Sequence, residues 1–107
     1  MSNPGHLNRR LLIEAPVETP DGAGGVVRTY ETTGAIWAAV TPLSAREITD
    51  AARLGVVVTH RIVARMRTDL GNRHRLRLGG RIFRIVTTRD QDGGGRFLEI
   101  SAQEQTD

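Results

Sequence analysis

The side chains able to do acid–base, nucleophilic or metal chemistry are few and scattered. His6, His60 and His74 lie far apart, there is no cysteine, and neither an HExxH motif nor a paired-His spacing offers a metal site. His60 falls on the apolar face of a β-patterned run, the position of a satisfied core or rim histidine. Ser2, Ser44 and Ser101 lack the strand–turn–helix context of a nucleophile elbow. The Gly-rich runs GAGG (22–25) and DGGG (92–95) are not followed by Gly-Lys-Ser/Thr, so they do not cradle phosphate as a P-loop does. DQDGGG (90–95) resembles a calcium loop but lacks the third acidic position and the closing Glu, which makes it a hairpin turn. No catalytic residue, cofactor ligand or metal ligand is therefore assigned, and no enzyme activity is expected.

The one abundant chemical group is guanidinium. Net charge is +3, and all fifteen basic residues are arginine. Coding bias explains the missing lysine more simply than selection for guanidinium, but the surface electrostatics are the same either way. Arginine binds phosphate and carboxylate in two-point geometry. Arg61, Arg65 and Arg67 share one strand face, and Arg75 and Arg77 follow among further arginines up to Arg89. These five are the candidate DNA or subunit-interface contacts. An OB-like nucleic-acid-binding module could run a phosphate backbone along such a face. Against that reading, this region contributes only Phe83 for base stacking, and Asp69, Asp90, Asp92 and Glu99 dilute the positive field.

The elements that must position these groups read mainly as β. A chain of 107 residues is expected to form one domain, and no apolar run approaches the ~18 residues of a membrane span. The opening residues, 1–7, read as a flexible arm, with too short an apolar segment for a signal peptide. Strands are expected over 8–15, 26–32, 35–41, 56–67, 74–78, 81–88 and 96–103, separated by Gly-rich turns. About six to seven short antiparallel strands at this spacing specify a small β-barrel or sandwich. Aromatics are scarce, so Ile36, Val40, Ile62, Ile85, Leu98 and Ile100 are expected in the core. Trp37 either joins them or faces a neighbouring subunit, since the third strand is apolar on both sides.

Between the third and fourth strands the pattern changes. Ser44 with Glu47 three residues on forms a capping box, Arg46 and Asp50 are spaced to pair, and Gly55 is placed to terminate a helix. A short helix over 45–54 is predicted, in a long loop. Its apolar stripe of Ile48, Ala51, Ala52 and Leu54 is meagre, and a helix of about ten residues is marginal alone in water. It is either a flap over one end of the barrel or a segment whose partner lies on another chain.

The order of segments resembles the head–tail joining proteins of long-tailed bacteriophages, the head-closure or stopper family, including those of phage-derived gene transfer particles. The resemblance rests on GHLNRRLLIEAP (5–16), PDGAGGVVRTYET (20–32), IWAAVTPLSAREITDAARL (36–54), THRIVARMR (59–67), GGRIFRIVTTRD (79–90) and FLEISAQE (97–104), in that order. It implies a virion protein assembled in the bacterial cytoplasm as a homo-oligomeric ring at the head–tail junction. A portal–adaptor ring would lie above it and tail terminator or tail tube proteins below, with packaged double-stranded DNA passing through the channel and no membrane involved. By position, the channel-side or partner-contacting excursion of that family falls on Ser44, Ala45, Arg46, Glu47, Ile48, Thr49, Asp50, Ala51, Ala52, Arg53, Leu54 and Gly55.

Overall fold

Two long N-terminal strands set the architecture, and alternation does the rest. The computed structural model describes residues 7–106. In chain order they form β1 (Arg9–Pro20), β2 (Val26–Pro42), α1 (Ala45–Arg53), β3 (His60–Arg65), β4 (Arg75–Leu78), β5 (Arg81–Asp90) and β6 (Phe97–Glu104). The strands close into an antiparallel barrel in the order β1-β2-β3-β6-β5-β4. Closure comes from β4 pairing back onto β1, Ile13 opposite Leu76 and Glu14 opposite Arg75. The barrel alternative is thus the one adopted, with the short helix in its long loop.

Among the described residues there are six strands, within the six to seven expected, because 26–42 is continuous where two strands were read. Gly34, read from sequence as a break, sits at a β-bulge: Ile13 faces Gly34 while Glu14 faces Thr32, leaving Thr33 as the extra residue. The bulge bends the strand without ending it. Below it, Ala15–Pro20 and 26–31 pair only with each other, so this part of the hairpin projects as a two-stranded ribbon. Its tip is locked by Asp21, whose Oδ1 accepts the Ala23 and Gly25 amides at 2.8 and 3.1 Å. Gly22 and Gly24 supply the positive φ that this turn requires.

Side chains alternate as the strands predict. Leu11, Ile13, Ile36, Ile62, Leu76, Phe83, Ile85, Leu98 and Ile100 fill the barrel, with Val40 packed against them. Phe83, one of the few aromatics, is at its centre with no exposed surface. Trp37 resolves to the outer face, 58% exposed. A second apolar cluster lies outside, where Leu7 and Phe97 cover the outward-facing Val63. Leu7 is therefore packed rather than part of a free arm; the remainder of that expected arm, 1–6, lies outside the described residues. The fourth strand also starts later than its valines suggested. Val56–Thr59 is irregular, although Val58 remains buried, and ladder pairing begins at His60.

His60, whose strand face points into the barrel, is a buried titratable group, 9% exposed. Its ring meets Phe83 edge-on at 5.0 Å, and Nδ1 lies 2.8 Å from Thr59 Oγ1. Burial holds its pKa below the usual imidazole value; Glu104 opposes this and the Arg81 cation reinforces it.

Two outcomes follow from this packing. Ile62 is fully buried, so Ile62→Ala should cost about 2–5 kcal/mol in a urea titration followed by circular dichroism; an unchanged midpoint would mean the β3 phase is wrong. For His60 the unfolded chain takes up a proton near the ordinary imidazole value while the folded state resists it. Stability is then complete above that value and declines as pH falls through it. His60→Gln should flatten the decline between about pH 7 and 5. The same slope in both proteins would exclude His60 as its source.

Candidate functional site

The helix predicted from its caps forms with those caps. Ser44 Oγ accepts the Glu47 amide and Glu47 Oε1 accepts the Ser44 amide, both at 3.2 Å. The Ser44 amide, with help from Arg61, holds the Glu47 carboxyl below the usual carboxylate range. At the other end Gly55 takes φ +78°, and the Leu54, Gly55 and Val56 amides close onto the carbonyls of Ala51 and Ala52. The local chemistry of the segment is complete.

Its tertiary chemistry is not. No side chain of α1 is buried. Arg46, Ile48, Thr49, Asp50, Ala52, Arg53, Leu54 and Gly55 are exposed, as are Ala45 and Glu47; Ala51 is half-covered. Leu54 is 83% exposed, and Val57 just beyond is also bare. The expected Arg46–Asp50 pair is not among the ion pairs of the described residues; both side chains stand free in water. What ties α1 to the barrel is Arg61, whose Nη2 donates to Glu47 Oε2, and the backbone bond from the Leu43 amide to the Thr59 carbonyl. This is a helix without a core-facing side.

The five candidate arginines do not form one face. Arg61 bridges Glu47 and Glu99. Arg65, on the same outer face, is exposed and has no carboxylate partner among the described residues. Arg67 lies beyond the end of β3 and grips Asp69 with two bonds, at 2.6 and 2.7 Å, which hold that carboxyl low. Arg75 and Arg77 are on β4, and two strands separate β4 from β3 in either direction around the barrel. Curvature divides what the sequence places in one basic run.

On that far side the sequence reading missed the group that organises the arginines. Glu14, only 5% exposed, accepts from Arg75 Nε at 2.7 Å and has Arg77 Nε within 3.1 Å. Arg75 also lies over the Tyr30 ring, 3.7 Å from its centroid. The available signal was the lone carboxylate in the apolar run RRLLIEA (9–15). The acidic turn 90–95 keeps its carboxylates occupied: Asp90 accepts from Gly93 and Gly95, and Asp92 from Gly94. That is the hairpin turn expected. Among the described residues no three His, Asp or Glu side chains converge to hold a metal. No described helix is long and apolar enough to cross a membrane.

Two of the concavities among the described residues lie beside these arginines. A groove of about 730 Å³ beside the exposed Trp37 is lined by Leu7, Ala35, Met66, Arg65 and Arg67. A second, polar cleft of about 440 Å³ lies where the ribbon meets β4 and β5, and includes Arg28, Tyr30, Arg73, His74, Arg75 and Arg84.

Comparison with known proteins agrees with this architecture. No curated protein matches the chain. Among solved structures, protein SF1141 from Shigella flexneri 2a is 27% identical, with a TM-score of 0.79 over 99% of each chain. A chain of the virion of a native gene transfer agent particle is 28% identical, with a TM-score of 0.67 over 94% of this chain and 96% of that one. The family described as phage head completion protein matches residues 2–105, nearly the whole length. The chain belongs to the phage head completion protein family.

Proposed function

We propose that this protein is a non-enzymatic structural part of a phage or phage-like virion. It forms a ring of identical subunits at the head–tail junction, closes the DNA channel after packaging, and offers a docking surface to the tail. The portal–adaptor ring contacts it from the head side, and tail terminator or tail tube proteins from the other.

Family membership supports the head-completion role. The observation that carries the finer reading is α1: its N-terminus is capped by the Ser44 and Glu47 side chains and its C-terminus by backbone bonds at Gly55, yet it buries nothing in its own barrel. A segment so well specified and so poorly anchored suits contacts made between subunits, where many weak interactions act together. Residues 44–55 are thus the proposed channel-side or partner-contacting segment. The competing OB-like module drew on a continuous arginine face with an aromatic to stack bases. The barrel divides that face, and Phe83 is enclosed.

Replacing Ala45–Leu54 with a short Gly linker tests this. Loop length alone costs little, so the purified variant should lose no more than about 1–2 kcal/mol of stability. In cells producing the particles, heads should package DNA and then leak it or lack tails, as counted by electron microscopy. Normal numbers of tailed, filled particles would remove the channel role, and a collapsed melt would make α1 an ordinary flap. A separate outcome concerns assembly. Light scattering at micromolar concentration should show a monomer or weak oligomer, the ring forming on a portal–adaptor template. A stable ring of the protein alone would refute template dependence.

A further inference from the structure

The cleft between the β1–β2 ribbon and the β4–β5 hairpin contains an arrangement that the barrel does not need. Arg75 and Arg84 are directly opposite each other in the β4–β5 ladder. Like charges at directly opposed positions destabilise a sheet. Arg75 has Glu14 at its Nε, which leaves both terminal amino groups without a partner among the described residues. Arg84 is exposed and, among the described residues, has no carboxylate at all; the same holds for Arg73 on the adjoining loop. An anion between them would turn a repulsion into two attractions.

The other lining groups add further donors. Arg28 is fixed by Glu18 at 2.9 Å, and the Tyr30 hydroxyl raises its pKa further. His74 Nδ1 accepts the Gly71 amide at 3.2 Å, so in the neutral ring the proton sits on Nε2, as a donor. The cleft therefore presents guanidinium forks and an imidazole N–H, while the lining carboxylate Glu18 is engaged by Arg28 and Glu14 is engaged by Arg75. One carboxylate ligand would satisfy one fork. A phosphate group, with more charged oxygens arranged tetrahedrally, engages several. Tyr30 is covered by Arg75, so no aromatic face is offered to a base.

We propose that this cleft is a phosphate-binding site, taking phosphate groups of a nucleic-acid backbone or of a free polyphosphate without reading sequence, through Arg73, Arg75 and Arg84. The site belongs to the single chain and does not depend on ring formation, so it stands or falls separately from the junction role.

The test is salt-dependent binding of a duplex 20-mer by fluorescence anisotropy, with inorganic tripolyphosphate as competitor. Arg73→Ala/Arg84→Ala should reduce the magnitude of the slope of log K against log salt by about 1.8, two contacts at ~0.9 each. Arg9→Ala/Arg10→Ala removes the same charge at the start of β1, where both side chains are exposed, and should leave the slope unchanged. Tripolyphosphate should also raise the melting temperature of the parent but not of the Arg73/Arg84 variant. Binding of tripolyphosphate without duplex would support the site and identify free polyphosphate as its source. Equal losses in both double variants would overturn the proposal in favour of diffuse charge. Stabilisation by polyglutamate with none by either phosphate probe would overturn it in favour of an acidic protein partner. Should the Arg73/Arg84 variant not fold, the Arg73 and Arg84 Nε resonances of the parent decide: they must shift on titration with tripolyphosphate, and unmoved resonances refute the site.

Discussion

Everything in this barrel depends on a short seam. β1 and β4 meet over Leu12–Glu14 and Arg75–Arg77, the shortest ladder in the sheet, and without it the other strands would form an open curl with two bare edges. Glu14 is directly opposite Arg75 there and diagonal to Arg77, with its carboxylate nearly out of solvent. Burying that charge is costly, and well-packed apolar residues would serve stability as well or better. What the ion pairs supply is register. A slip of one residue would turn Leu76 outward and drive Arg75 and Arg77 into the space now filled by Leu11, Ile13 and Phe83. One buried carboxylate thus excludes the competing pairing.

The seam also explains how so small a core leaves so much of the chain free. A closed barrel needs only one face of each strand, and Leu, Ile and Ala with the single aromatic Phe83 suffice to fill it. The lower half of the β1–β2 hairpin, the helix α1 and the outer face around Trp37 contribute nothing to that interior. Their exposed apolar side chains, Val26 and Val27 on the ribbon, Leu54 and Val57 after the helix, and Trp37, project from separate parts of the surface. Distributed projections of this kind suit a subunit that meets several neighbours through modest contacts, rather than one partner through a single large patch.

How far the sequence disclosed this differs by residue, and the differences have physical causes. His60–Arg65 and Phe97–Glu104 were legible because His60, Ile62 and Ala64 alternate inward on one and Leu98, Ile100 and Ala102 on the other, directly opposite each other in the ladder. The helix was legible because its caps are local: Ser44, Glu47 and Gly55 act within a few residues of themselves. Gly34 misled because a glycine that allows a bulge looks the same as one that ends a strand. Trp37 could not be phased because alanines flank it on both faces of the pattern, and only the ladder against Arg10 sets its side. The arginines looked like one patch because sequence order is linear while the barrel returns on itself. Glu14 was missed for the same reason, its partners being sixty-one residues away for Arg75 and further for Arg77.

That last failure bears on how the arginines act. Arg61, Arg67, Arg81 and Arg89 each hold a carboxylate at a partly exposed site. Such surface pairs are individually worth roughly 0–1 kcal/mol, so they steer side chains more than they stabilise the fold. They also cancel charge locally, while the chain as a whole carries fifteen arginines against twelve carboxylates and a net charge of +3. The uncancelled charge is then confined to the arginines that have no carboxylate within reach. Among the described residues Arg84 is both one of these and placed opposite another arginine in the ladder. Arg73 and Arg75 line the same cleft as Arg84, whereas Arg9, Arg10, Arg46, Arg53 and Arg65, also exposed, do not line it. For a protein that meets a polyanion, gathering several guanidinium groups in one cleft favours one docking geometry over contacts with single arginines.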